Sequence, residues 1–476
     1  MNKFEFLSNA VEKRKAALTK MSDEIWQFAE ISLEEKKSST LLAEFLKNEG
    51  FDIEMGVAGF DTAFIATFQK GGKKIGILGE YDALDGICQT GGTPIKTADP
   101  TKFSGHGCGH NLLGVGSLAA AVAVKDYLVE TNTEGTVVYY GCPGEEGCGS
   151  KAFMAFEGIY DSLDAALCWH PGDTNEVQSG SFQSSIQVEY TFHGIASHAA
   201  GDPENGRSAL DAVEIMNLGV QFLREHIPHT DCLHYAITNT GGVSPNVVQA
   251  EASVLYMVRS DKVKKAKKLL ERVDNIAKGA ALMTDTTITR KFIDGTSDTL
   301  SNSVIENCLY KNMCNFSLPE YSEDEIAFAE KITETFKDIK PELPGYFVKD
   351  SSAVKEAVKK GSDNGKKAIN DFVVPLFHSD KALPGSTDVG DTSYRTPCAQ
   401  ITTVCWPSGT PGHSWQIVSS GVTTIAHKGM LYAGKVMAAT AIDLMCDEKL
   451  LNDAKNEFLE STKDGIESPI EKSFSK

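Results

Sequence analysis

The chain has 476 residues, 41% hydrophobic and 23% charged, with a formal net charge of −19. That length is too great for one typical core, so two domains are expected. The acidic balance argues against a nucleic-acid binder, whose phosphate partners need basic patches, and against docking on anionic membranes. No long apolar run opens the chain, so neither a signal peptide nor a membrane anchor is expected, and a cytoplasmic location is. Eleven cysteines without framework spacing fit reduced thiols.

Helical periodicity runs through 8–31 and 38–48. Strands are predicted at 60–69 and 74–79, a helix at 110–130, a strand at 135–141, a helix near 149–157 and a strand at 164–169. Strands alternating with helices imply an α/β domain whose mostly parallel sheet carries helices on both faces. After about residue 183 the pattern changes. A strand at 185–192, a helix at 206–226, strands at 233–239 and 249–259, a Lys-rich helix at 262–282 and a strand at 286–293 give the order β-α-β-β-α-β. That order is an α+β ferredoxin-like unit, expected as an insert. The expected division is 1–183 and 298–476 for the first domain and 184–297 for the insert. Helices near 302–313 and 322–337, an exposed excursion at 340–372, a strand near 399–405, a helix near 418–446 and a charged surface tail from 447 complete the reading.

Four short motifs carry chemistry: Cys108-Gly109-His110, Glu145-Glu146, His170 and His413. All are flanked by Gly or Pro and fall on predicted strand-end loops or helix starts, which share one edge of an open α/β sheet. A thiol, imidazoles and carboxylates converging there suit Zn, Mn or Co, and two adjacent carboxylates can divide the work of ligand and general base. His106 is placed outside the ligand set. Cys142, Cys168, Cys308, Cys314, Cys398, Cys405 and Cys446 read as buried apolar filler. Arg259, at the end of a predicted strand of the insert, reads equally as an anion anchor or as an exposed ion pair.

These motifs resemble the aminoacylase/carboxypeptidase-type dinuclear metallopeptidase superfamily, in its amidohydrolase branch. Gly79-Glu80-Tyr81-Asp82-Ala83-Leu84, His106-Gly107-Cys108-Gly109-His110-Asn111, Gly144-Glu145-Glu146-Gly147, Ala196-Ser197-His198-Ala199 and Gly206-Arg207-Ser208-Ala209 are most similar to the aminobenzoyl-glutamate hydrolases and their dipeptidase relatives. The resemblance covers nearly the whole chain and is weakest at 340–372. It implies two divalent metal ions bridged by Cys108, one also held by His110 and His170, the other by Glu146 and His413. It implies Glu145 as general base, His198 as donor to the oxyanion, Asn246 as a substrate contact, and Asp82 and Asp388 as residues that orient ligands. Glu80 is expected to fix its strand-end loop rather than to coordinate.

The implied reaction is hydrolysis of an N-acyl amino acid, p-aminobenzoyl-glutamate first and β-alanyl-type dipeptides second. A non-catalytic partner subunit of a heteromeric hydrolase is a rival reading, against which the complete ligand set argues. A Cys-nucleophile hydrolase built on Cys108 and His110 is another; their spacing and the further ligands argue against it. The insert is expected to pair two chains, as a homodimer or with a related subunit, and to carry His198 into the site of the partner.

Overall fold

The computed structural model describes residues 2–471. Its contacts divide the described residues into two compact units: 2–180, 300–381 and 392–465 form the first, and 181–299, 382–391 and 466–471 the second. The second unit therefore takes in two short segments beyond the insert expected at 184–297.

The first unit opens with α1 (Lys3–Glu12), α2 (Lys15–Phe28) and α3 (Lys36–Asn48), then β1 (Asp52–Met55), β2 (Phe64–Gln69) and β3 (Lys74–Glu80). The single helix expected over 8–31 is broken at Arg14, whose backbone leaves the helical region. The cause is tertiary. The Arg14 guanidinium donates to both carboxylate oxygens of Glu49 at 2.7 Å and to Asp126 at 2.7 Å. Short strands β4 (Leu84–Asp85) and β5 (Ser104–Gly105) precede α4 (His110–Glu130). There follow β6 (Thr136–Cys142), α5 (Ser150–Phe156), β7 (Ala165–Gly172) and β8 (Glu176–Gln178).

The second unit holds β9 (Ser181–Phe182), β10 (Ser184–His193), α6 (Ala209–Leu223), β11 (Cys232–Asn239), β12 (Glu251–Ser260), α7 (Val263–Thr284) and β13 (Thr287–Thr296). Its four-stranded sheet runs β11-β12-β10-β13, antiparallel throughout, which is the ferredoxin-like order. Ile186, Val188, Tyr190 and Phe192 alternate as the buried face of β10.

The chain returns through α8 (Ser303–Asn315), α9 (Glu323–Glu334), α10 (Ser352–Gly361), β14 (Ala382–Leu383), α11 (Val389–Ser393), β15 (Cys398–Val404), α12 (Trp415–Ser420), α13 (Thr424–Cys446) and α14 (Glu448–Ser461). The helix expected over 418–446 is two, because Thr423 starts α13 anew, its hydroxyl accepting from the Ala426 N–H. The excursion at 340–372 is not merely exposed. Its Val348, Val354 and Val358 close a small core with Val374. The tail likewise folds, as α14, burying Leu451 and Ala454.

The large sheet of the first unit has the order β1-β2-β6-β3-β7-β15-β8, with β6, β3, β7 and β15 mutually parallel. Parallel central strands are covered on both faces, so β3 and β6 are buried almost throughout. Helix α4 has the length and hydropathy of a membrane span, but its apolar surface is buried on all sides against β3 and α13. Glu80 pairs in register with Cys142, and His170 with Thr402, so the carboxyl ends of the parallel strands align on one edge. Of the seven cysteines read as filler, Cys314 and Cys446 are instead exposed.

Candidate metal centre

All five ligand candidates come from that one edge. Cys108 sits on the turn into α4, and Gly109 caps the helix at φ +78°. A side chain there would meet Trp406 at 2.9 Å and Pro171 at 3.2 Å, so only glycine lets Cys108 and His110 turn inward together. Glu145 and Glu146 follow β6. His170 lies within β7 rather than after it. His413 sits in the loop before α12, with φ +51°.

The donor atoms fall into three overlapping groups, each with its members within 4.8 Å of one another: Cys108, His110 and His170; Cys108, Glu146 and His413; and Glu80, His110 and Glu145. Cys108 is common to the first two. Its Sγ is 3.3 Å from His170 Nε2, and His413 Nε2 is 3.6 Å from a Glu146 oxygen. Cys108 thus faces both imidazoles, with His170 Nε2 at hydrogen-bond distance and His110 in the same donor group.

The surroundings aim the ring nitrogens. Nδ1 of His170 is 2.7 Å from the Pro171 carbonyl and must donate to it, which leaves the Nε2 lone pair facing Cys108. Nδ1 of His110 is 2.8 Å from the buried Asp82, which also accepts from Ser32 Oγ and the Glu146 N–H. One carboxylate thereby positions His110 and the Glu146 backbone. Burial opposes ionisation of Asp82, but His110 and the Glu146 N–H outweigh it and hold the carboxyl below its ordinary range.

The fully buried Lys151, at the start of α5, stands 2.8 Å from Glu80 Oε1. Burial pushes Glu80 up; Lys151 and then His110 more than offset it, and the carboxyl stays ionised. Nothing in the sequence singles out this lysine, because lysines are solvated by default. Glu80 Oε2 lies 3.2 Å from His110 Nε2 without hydrogen-bond alignment, so that nitrogen is buried and unpartnered. Glu80 is therefore closer to the cluster than expected, with one oxygen committed to Lys151. His106 stays outside, its Nε2 on the Ile25 carbonyl.

The residues fit divalent cations. His110 Nε2 and Glu146 Oε1 are buried without hydrogen-bond partners, and thiolate, imidazole and carboxylate together suit first-row metals. Burial pushes the Cys108 thiol and the Glu146 carboxyl up and His170 down to about 4. A positive charge at the centre would favour the ligating form of each.

The other candidates lie in the second unit. His198 and Asn246 are neighbours: the Ala199 N–H donates to the Asn246 carbonyl, and His198 bridges to Val247. The His198 ring does not cap α6, which Ser208 caps. Its Nδ1 accepts from the Ala200 and Gly201 N–H groups at 3.2 and 3.0 Å, so Nε2 carries the hydrogen. Arg259 pairs with Ser185, at the end of the sheet opposite the His193–Glu251 pair from which the His198 segment leaves. It has no ion pair among the described residues; its Nε contacts Met257 Sδ. Asp388 is buried at the entrance to α11.

Residues 181–285 match the peptidase dimerisation domain family. Over 471 residues, covering 96% of this chain and 95% of the relative, the sequence is 42% identical to a p-aminobenzoyl-glutamate hydrolase chain of Escherichia coli strain K12, one named component of that enzyme. The chain belongs to the M20 peptidase family. This M20 chain is also 26% identical to the Xaa-Arg dipeptidase of Mus musculus, covering 94% of itself and 90% of that protein. Its fold matches a Bacillus subtilis dinuclear metal binding peptidase of the M20 family, at a TM-score of 0.56 and 16% identity, covering 91% of this chain and 99% of that one. It is thus an amidohydrolase-type enzyme of a dinuclear-metal family, carrying a dimerisation domain.

Proposed function

We propose that this M20 enzyme hydrolyses the amide bond of an N-acyl amino acid, with p-aminobenzoyl-glutamate as the first substrate to test. The observation that carries the reading is the pair of Cys108-centred donor groups with Glu145 beside them. Cys108, His110 and His170 would hold one cation, and Cys108, Glu146 and His413 the other, with Zn, Mn or Co as the metals of choice. Bound cations supply polarisation of the scissile carbonyl and a lowered pKa for water. Glu145 takes the proton from the attacking water and returns it to the leaving amine. Asp82 and the Pro171 carbonyl keep the two imidazoles aimed. His198, with its hydrogen fixed on Nε2, supplies a donor for the oxyanion, and Asn246 contacts the substrate.

The test separates base from ligand. Glu145→Ala should retain metal and lose turnover by roughly a hundredfold or more, whereas Glu146→Ala should lose metal as well. Equal metal contents in two inactive variants would refute the assignment. A Cys108–His170 nucleophile pair would instead leave activity intact after chelation.

The Escherichia coli relative is named as one component of a multi-chain hydrolase. That supports assembly through the dimerisation domain, with a second copy or a related chain. If His198 serves the partner, co-assembled Glu145→Ala and His198→Ala chains should regain roughly a quarter of normal activity. No recovery after proven mixing would exclude that arrangement.

A further inference from the structure

A second pair of acidic side chains in the first unit lies outside the ligand set. Asp173 and Glu176 follow the end of β7 and line a cavity of about 350 Å³, whose other walls include Pro341, Leu343, Tyr346 and Pro411. That volume is at the small end of ligand pockets, roughly 300–1,000 Å³. The cavity adjoins the metal centre by chain connection alone. Asp173 is three residues from His170 and Pro411 two from His413, at most about 11 and 8 Å of backbone. Tyr346, at the rim, is within electrostatic reach of Glu176, Asp173 and Cys108.

Glu176 is only 3% exposed. Its Oε1 accepts from the Thr174 hydroxyl at 3.0 Å and the Tyr346 N–H at 3.3 Å. No hydrogen bond reaches Oε2 among the described residues. Gly345, at φ +102°, keeps the approach open, since a side chain there would stand 3.4 Å from that oxygen. Asp173 accepts from the Gly409 N–H at 2.6 Å. Neither carboxylate has an ion pair within 4 Å among the described residues, and the Lys340 ammonium donates to the Gly365 carbonyl instead. With no cation to offset it, burial pushes Glu176 up to about 8. Among the described residues the two belong to no group of three cation ligands, and two carboxylates are too few for a calcium or magnesium cage. What such a site lacks is a hydrogen-bond donor on an otherwise apolar body.

We propose that this cavity receives the acyl half of the amide substrate, and that Glu176, aided by Asp173, accepts hydrogen bonds from an amine nitrogen at the far end of that group. The inference rests on the amide-hydrolase reading above. The Pro341, Leu343, Pro344 and Pro411 walls suit a ring or an alkyl chain, and the two carboxylates suit its terminal nitrogen. An arylamine and an aminoacyl ammonium share this chemistry.

The test compares wild type and Glu176→Gln on p-aminobenzoyl-glutamate, benzoyl-glutamate and β-alanyl-glutamate. The ratio of kcat/KM for amine-bearing over amine-free substrate should fall about tenfold in the variant, the scale of one hydrogen bond. Whichever amine-bearing substrate loses more identifies the source of the nitrogen. An unchanged ratio, with all substrates slowed alike, overturns the proposal. Asp173→Asn gives an independent measurement if Glu176→Gln fails to fold. Should the wild type cleave none of the three, the reaction reading falls, and the cavity is judged by calorimetry with p-aminobenzoate, β-alanine, benzoate and propionate. Each amine-bearing acid is compared with its amine-free counterpart. A preference for one amine-bearing acid, lost in Glu176→Gln, upholds the cavity's role; equal affinities within both pairs overturn it.

Discussion

Glu80 and Asp82, at the carboxyl end of β3, and Asp173 and Glu176, between the end of the neighbouring β7 and the start of β8, are two pairs of acidic residues. They are treated in opposite ways. The first pair is matched from within: Lys151 stands against Glu80 and His110 against Asp82. Both carboxyls stay below their ordinary range although burial alone would raise them. The second pair meets a hydroxyl and backbone N–H groups, with the Lys340 ammonium acting on Asp173 without forming an ion pair, and burial pushes both carboxyls up. Position in the sheet therefore does not decide the charge of a buried carboxylate; the neighbouring cation does. The first pair is a finished frame that fixes ligand geometry. The second is unfinished until a ligand or a proton completes it.

The comparison breaks most violently at Lys151. Lys151→Met leaves Glu80 buried without its ammonium partner and should cost about 3–5 kcal/mol, read from urea denaturation. Adding Glu80→Gln should restore much of that. A loss below about 1 kcal/mol would show that the frame is held by packing and not by charge.

A smaller effect is expected at Asp82. Asp82→Asn keeps the shape but weakens the hold on His110, and metal affinity should drop about 10- to 100-fold in chelator competition. Unchanged affinity would mean that α4 alone positions the imidazole.

Glu176 sharpens the other side. Its carboxyl titrates near 8 when folded against 4.5 in the unperturbed group. The folded state binds the proton more tightly, so this group's contribution is fully present below about 4.5 and is lost as pH rises through about 8. Stability should decline with rising pH in that window, by up to about 1.4 kcal/mol per pH unit from this group. Glu176→Gln should flatten the decline in urea midpoints taken at pH 5, 6.5 and 8. An unaltered slope would show that Glu176 carries its charge at neutral pH.

The α/β core, the ferredoxin-like insert and the five ligand candidates were legible because each rests on a local signal. Gly109 marks the turn that presents Cys108 and His110, and alternation in β10 marks a one-faced sheet. What was illegible depends on partners far along the chain. The break at Arg14 is made by Glu49 and Asp126, and nothing in residues 8–31 announces it. Lys151 is surrounded only after α5 docks. The Lys-rich composition of 340–372 hid Val348, Val354 and Val358, which pack with Val374 and against Leu343, a wall of the Asp173–Glu176 cavity.

The two exposed thiols bear on how assembly is to be measured. Cys314 lies in the last turn of α8 and Cys446 ends α13, both open to solvent. Exposed thiols exchange and oxidise before buried ones, so an aged sample can acquire covalent links between molecules through these positions. A doubled band on a non-reducing gel would then record surface oxidation and say nothing of the dimerisation domain. Molecular mass should be taken under reductant, or in a Cys314→Ser/Cys446→Ser background.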